Sequence, residues 1–178
     1  MMDTTEVRSA FLDADGWPKK QPVSAALVRR WFSAASLEAR GALFQCLSNR
    51  DCRASVRPPL SPQELFDFRA SYFESCIVAA PTLVTESRWV MAPGDLSRFI
   101  AQWLEEGWRS KSADHVSHDT IMSWLERILV QYPEFAALLS VDVADTLFAS
   151  ARVRRRFLPW REHPVLGPLF PELSRESK

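Results

Sequence analysis

The sharpest catalytic candidate in the sequence is Asp114-His115-Val116-Ser117-His118-Asp119, which places two His and two Asp in six residues. Imidazole and carboxylate together suit Zn, Fe or Mn. His118 and Asp119 at a helix start can converge with His115 from the preceding loop, and that set would serve a metal-dependent hydrolase. A simpler structural reading uses the same residues. Ser117 caps a helix, and Asp119 lies in its first turn, where the helix dipole favours negative charge.

The His118-Asp119 adjacency resembles that of metal phosphohydrolases of the HD type. Sites of that family draw further His and Asp ligands from distant helices, whereas the remaining His of this chain is His163. The resemblance therefore ends at the dipeptide. A Cys–His nucleophile would need a thiolate beside a base. Cys76 falls on an apolar helix face. Cys46 and Cys52 flank a helix end near Arg50 and Arg53, which could lower a thiol pKa, but no sequence feature brings a His to them. Asp142 with Asp145 marks a helix start, and Glu105 with Glu106 a polar helix face; neither pair needs a catalytic explanation. The five Gly stand at 16, 41, 94, 107 and 167, too scattered for a loop whose backbone N–H groups cradle phosphate. There is no G-x-S-x-G elbow, no H-E-x-x-H helix and no cysteine framework for zinc. The expectation is no catalytic residue and no cofactor.

The most distinctive surface candidate is Arg152, Arg154, Arg155 and Arg156, followed by Trp160 and Arg161. Four Arg in five residues wrap most of a helix end, so some must face solvent or a partner. Arg with Trp is a frequent interface pairing, and Arg clusters also hold phosphate. The structural alternative is that Arg at a helix C-terminus offsets the macrodipole. Formal net charge is zero, with 22 basic and 22 acidic side chains. A dedicated nucleic-acid binder draws affinity from a basic excess that is missing here. An acidic protein is thus the favoured partner, ahead of nucleic acid. Of the basic residues 18 are Arg and 4 are Lys, which suits interface contacts or equally a GC-rich genome.

These candidates need a scaffold. A chain of 178 residues, 47% hydrophobic and 25% charged, is long enough to bury a core without metals or disulfides. Seven Trp and eleven Phe predict packing anchored on large rings. The three cysteines form no CxxC and fit reduced thiols in a cytosol. No secretory signal is visible in residues 1–16, and no stretch approaches the roughly 18 apolar residues of a spanning helix. A cytoplasmic protein without a membrane segment is expected.

The periodicity is helical. After a weak short helix over 4–12 and a Gly16-Trp17-Pro18 turn, Pro22 opens a helix carrying Leu27, Val28, Trp31 and Phe32. Ser36 caps a second with Leu37, Leu43, Phe44 and Leu47, and residues 50–59 read as a loop. Ser61-Pro62-Gln63-Glu64 is the best local signal, a capping box. The helix it starts turns Leu65, Phe68, Tyr72, Phe73, Cys76 and Ile77 to one side. Residues 82–91 are ambiguous between strand and helix. Pro93-Gly94-Asp95 opens a helix with Leu96, Phe99, Ile100, Trp103 and Leu104 inward. Ser117 caps another bearing Ile121, Leu125, Ile128, Leu129 and Tyr132, which Pro133 stops. A last helix runs from about 142 to 157.

The fold class expected is mainly α: one compact domain of about six or seven helices over 1–158, with 1–21 weakly structured. Residues 159–178 form a Pro-rich apolar C-terminal arm, read as extended and docked, because four prolines forbid a continuous helix while Trp160, Val165, Leu166, Leu169 and Phe170 are too apolar for a solvated linker. The function expected is non-enzymatic binding of another protein, of the stoichiometric inhibitor or immunity type. The alternatives are an adaptor or regulator that binds nucleic acid through Arg152–Arg161, and a metal-dependent hydrolase using His115, His118 and Asp119.

Overall fold

A computed structural model of the chain describes residues 3–34, 36–79, 116–133, 148 and 151–174, with the backbone alone at 34, 118, 152 and 153. The expectations for 82–109 and 134–147 lie outside the described residues. The protein is mainly α: helices make up 73% of what is described, in six helices of seven or more residues. The chain divides into two compact units, 1–91 and 92–178, a division the sequence reading did not draw.

In the first unit, α1 (Thr4–Phe11) is capped by Asp3, whose carboxylate accepts from the Glu6 N–H at 2.9 Å. It buries Val7 and Phe11 against α3 (Leu37–Ser48). The element β1 (Val23–Ser24) leads into α2 (Ala25–Ala34). The helix starts later than Pro22 because Val23 and Ser24 first pair in parallel with Val56 and Arg57 of β2 (Val56–Arg57). Ser36 caps α3 through its hydroxyl, as the sequence suggested. That helix is buried on nearly every side, at Ala39, Gly41, Ala42, Leu43, Phe44, Cys46 and Leu47. A helix apolar all round belongs in the middle of a core, and α1, α2, α4 (Arg50–Ala54) and α5 (Pro62–Ala79) all pack on it.

The segment expected as a loop after Arg50 instead holds α4 and β2. Asn49 Oδ1 accepts from the N–H groups of both Asp51 and Cys52, so a single amide satisfies two of the donors a helix start leaves open. Five residues are too few to show periodicity. In α5 all six residues expected on the inner face are buried, joined by Phe66, Arg69 and Ala70. Ser61 Oγ accepts from Glu64 N–H at 3.1 Å. The capping box stops there, because the Glu64 carboxylate is engaged by the guanidinium of Arg29 on α2 at 3.1–3.2 Å. Rings complete the core: Phe44 meets Tyr72 at 4.9 Å and Phe73 at 5.3 Å, and Phe32 meets Phe68 at 4.3 Å.

In the second unit, Ser117 caps α6 (His118–Gln131) by accepting from Thr120 N–H. Ile121, Leu125, Ile128 and Leu129 are buried as expected, with Trp124 added; Tyr132 is the half-buried C-cap before Pro133. The next described helix is α7 (Ala151–Phe157). Phe148 lies in a bend rather than in the helix expected from 142, and from there its ring contacts both Phe157 and Phe170. The C-terminal segment through Ser174 is not extended. It folds into a 3-10 turn (Leu158–Glu162), α8 (Leu166–Leu169) and a second 3-10 turn (Pro171–Ser174). Proline forbids long helices but fits the first turn of short ones, as Pro159 and Pro171 do here. Trp160, Leu166, Phe170 and Leu173 are buried, and α8 packs on α6. Gly167 makes the close approach possible: a Cβ there would stand 2.6 Å from the Arg161 carbonyl oxygen.

Candidate functional site

The arginine-rich end of α7 stands on a platform of rings. Phe157 and Trp160 meet edge to face at 4.7 Å, Trp160 lies 6.0 Å from Phe170, and Phe148 closes the group on Phe157 at 5.6 Å. Edge-to-face and offset ring pairs add about 0.5–1.5 kcal/mol each beyond burial. The sequence grouped Trp160 with the arginines as an interface anchor, but its side chain is inside, only 6% exposed. It supports the surface rather than forming it.

The arginines divide by what they touch. Arg154 is half-buried and donates from Nη2 to the Glu172 carbonyl at 2.8 Å, tying α7 to the last turn of the arm. Arg155, Arg156 and Arg161 are exposed, as is Leu158 between them. Arg161 Nε lies 3.3 Å from Glu162 Oε1, and the two side chains are 49% and 83% exposed. An ion pair that open contributes little and exchanges readily for a better partner. For Arg152 only the backbone is described. Arg155, Arg156, Leu158 and Arg161 are thus exposed on a segment that the Arg154 bond to Glu172 and the buried Trp160 hold in place.

His163 helps to hold it too. Its Nδ1 accepts from the N–H groups of Val165 and Leu166, both at 3.1 Å, so it caps the start of α8. The opposite nitrogen, Nε2, faces Glu126 Oε1 of α6 at 3.3 Å. An acceptor at Nδ1 leaves the proton on Nε2, pointing at the carboxylate. This imidazole is engaged at both ends in holding the arm.

Of the expected metal ligands, Asp119 is exposed in the first turn of α6 behind its Ser117 cap. The side chains of His115 and His118 lie outside the described residues. Among the described residues no group of three His, Cys, Asp or Glu is placed to hold a metal ion.

The thiols sit in apolar surroundings. Cys46, Cys52 and Cys76 are all buried, and none is in a disulfide. Burial first, then the neighbouring Cys52, pushes the Cys46 thiol up to about 12, against a weaker opposing pull from Arg8. Burial and then Asp51 raise Cys52. The lowering expected from Arg50 and Arg53 does not prevail over burial, the largest cause at both thiols; Arg53 Nη1 donates to the Leu47 carbonyl at 3.0 Å. A thiol is nucleophilic only as thiolate, so at pH 8 native Cys46 should resist a thiol-directed disulfide reagent, and all three cysteines should react after denaturation. The Cys46 proton is held more tightly in the folded state than in the unfolded one. Stability should therefore be full below pH 9 and fall by about 1.4 kcal/mol per unit as pH rises toward 12. Urea midpoints at pH 8, 10 and 11 would show it, and a Cys46→Ala variant should lose that part of the slope. Equal slopes in the two proteins would refute the assignment.

One feature of the first unit was read only as a turn. Trp17 is 70% exposed at the tip of a tightly bonded loop. Asp13 Oδ1 accepts from Asp15 N–H at 3.0 Å and Trp17 N–H at 2.9 Å, and Asp13 N–H donates to the Trp17 carbonyl at 2.8 Å. Gly16 takes φ +84°, a conformation that L side chains adopt at a cost. Beside Trp17 an open groove of about 650 Å³ runs between residues 17–22 on one wall and 51–57 on the other. The β1–β2 pair connects the two walls. No local sequence signal joins them, because they meet only through that parallel pair. A smaller, more apolar groove of about 350 Å³ lies between α2 and α5, lined by Phe32, Leu60 and Phe68, with the Arg29–Glu64 ion pair at its rim.

No described protein family, curated protein or solved structure matches the chain.

Proposed function

We propose that this chain is a non-enzymatic protein-binding module that neutralises or regulates its partner stoichiometrically, in the manner of an inhibitor or immunity protein, and engages an acidic surface. The observation that carries the reading is the exposed trio Arg155, Arg156 and Arg161 around Leu158, on backbone fixed by the buried rings beneath. Guanidinium forks suit carboxylates, and a scaffold ordered beforehand lowers the entropy lost on association. Zero net charge favours a local, geometrically specific contact over the broad phosphate attraction of a nucleic-acid binder.

The test is a tagged pulldown from the native host after nuclease treatment, with stoichiometry from mass spectrometry. One protein near equimolar is expected. Arg155→Glu with Arg156→Glu should weaken its capture at least about tenfold, or about 1.4 kcal/mol, while the helical circular dichroism stays unchanged. Undiminished capture by the double variant would remove this face from the interface. Loss of the captured species on nuclease treatment would favour a nucleic-acid partner.

A further inference from the structure

We infer that the groove of the first unit beside Trp17 is a second docking site, for an extended acidic segment of a partner protein, with Trp17 as its anchor. The inference rests on the first unit alone and is independent of the arginine face. An indole is among the side chains that gain most from leaving water, and Trp17 leaves 70% of its surface there. Its backbone is nevertheless fixed: the Asp13 carboxylate and the Gly16 turn hold Trp17, while Lys19 N–H donates to the Phe11 carbonyl at 2.8 Å. A large exposed ring on a pre-ordered turn has the character of an interface anchor, since little chain entropy remains to be lost on binding.

Charge selects the occupant. Lys19, Lys20 and Arg57 line the groove against one carboxylate, Asp51. The bonds that place two of these cations leave their charge intact: Lys19 Nζ donates to the Ser9 carbonyl, and Arg57 Nη1 to the carbonyls of Ala54 and Val56. Neutral carbonyls orient a cation without cancelling it, so the groove keeps a positive excess that an acidic segment complements. A volume of about 650 Å³ holds a few side chains, the scale of a peptide segment rather than of a folded face. Pro18 and Pro22 add rigid apolar wall against which an aromatic or proline side chain can lie beside Trp17. A nucleic-acid strand is the poorer match, because a chain of zero net charge has no wider basic excess to neutralise a run of phosphates beyond the groove.

The experiment is fluorescence anisotropy on the full chain. The probe is a labelled peptide of about twelve residues alternating Asp or Glu with Phe and Pro, compared with its Asn/Gln counterpart and an oligo-dT of equal length. Saturable binding of the acidic peptide is expected, with Kd on the order of 10–100 μM, weakening with added salt. Trp17→Ala and Lys20→Glu should each weaken it at least about tenfold at an unchanged thermal midpoint. Asp51→Asn should tighten it, and Arg155→Glu with Arg156→Glu should leave it unaltered. If Trp17→Ala lowers the midpoint, Lys20→Glu decides. The assignment is overturned by no binding, by equal binding of the Asn/Gln peptide, by oligo-dT binding as tightly, or by indifference to both groove variants.

Discussion

Replacing Trp160 by alanine should destabilise the second unit by about 3–5 kcal/mol, the range for emptying a large buried aromatic site. The side chain is 6% exposed and touches Phe157 at 4.7 Å and Phe170 at 6.0 Å, so its loss removes transfer energy and two ring contacts together. The space left behind cannot close easily, because Gly167 already brings α8 against the Arg161 backbone. Trp160→Phe should recover much of the difference by keeping the edge-to-face contact. Urea unfolding followed by near-UV circular dichroism measures both variants. A loss below about 1 kcal/mol would mean that the arm is an appendage and not part of the core. Under the proposed function, the same variant should also weaken partner capture, since Trp160 anchors the segment that carries the exposed arginines.

In the first unit the corresponding substitution is Phe44→Ala, again with a cost of about 3–5 kcal/mol. Phe44 is 1% exposed on the helix that every neighbour packs against, with Tyr72, Phe73 and Phe68 around it. Its loss should also show in chemistry. Cys46 lies two residues further along the same helix and owes its raised pKa chiefly to burial. Loosening α3 should therefore speed labelling of Cys46 at pH 8 well before global unfolding. Phe44→Leu, which keeps most of the volume, should cost about 1–1.5 kcal/mol and leave the labelling slow. If Phe44→Ala labels no faster than the parent, α3 is not the helix that shields the thiol.

What was legible in the sequence follows the range of the forces involved. Helix caps act within three residues, and Ser36, Ser61 and Ser117 do cap where their spacing indicated. The inner face of α5 was readable because a period of 3.6 is local. Glu64 was misassigned for the opposite reason: its carboxylate goes to Arg29, 35 residues away, and no local pattern weighs that competitor. The burial of α3 was understated because Ala39, Gly41 and Ala42 are small and carry little hydrophobic signal. Trp160 was grouped both with the arginine interface and with the docked arm because an aromatic beside arginine has the same local pattern in a core as at an interface; Phe170, ten residues on, decides for the core. The groove beside Trp17 was illegible because residues 17–22 and 51–57 become neighbours only through a parallel pair of two residues a side, too short to leave an alternating pattern.

The missing side chain at Gly167 has a consequence for how this sequence can drift. Where two segments meet through side chains, substitution is negotiable, since a neighbour can change rotamer or size to compensate. At Gly167 the opposing surface is the peptide backbone of Arg161, which has no smaller form. Aromatic positions around the arm can exchange one ring for another, but this position admits no second solution unless the two turns separate. Chains descended from the same ancestor should therefore vary in the rings and keep the glycine, and six residues before it the backbone should keep its course whatever side chain it carries.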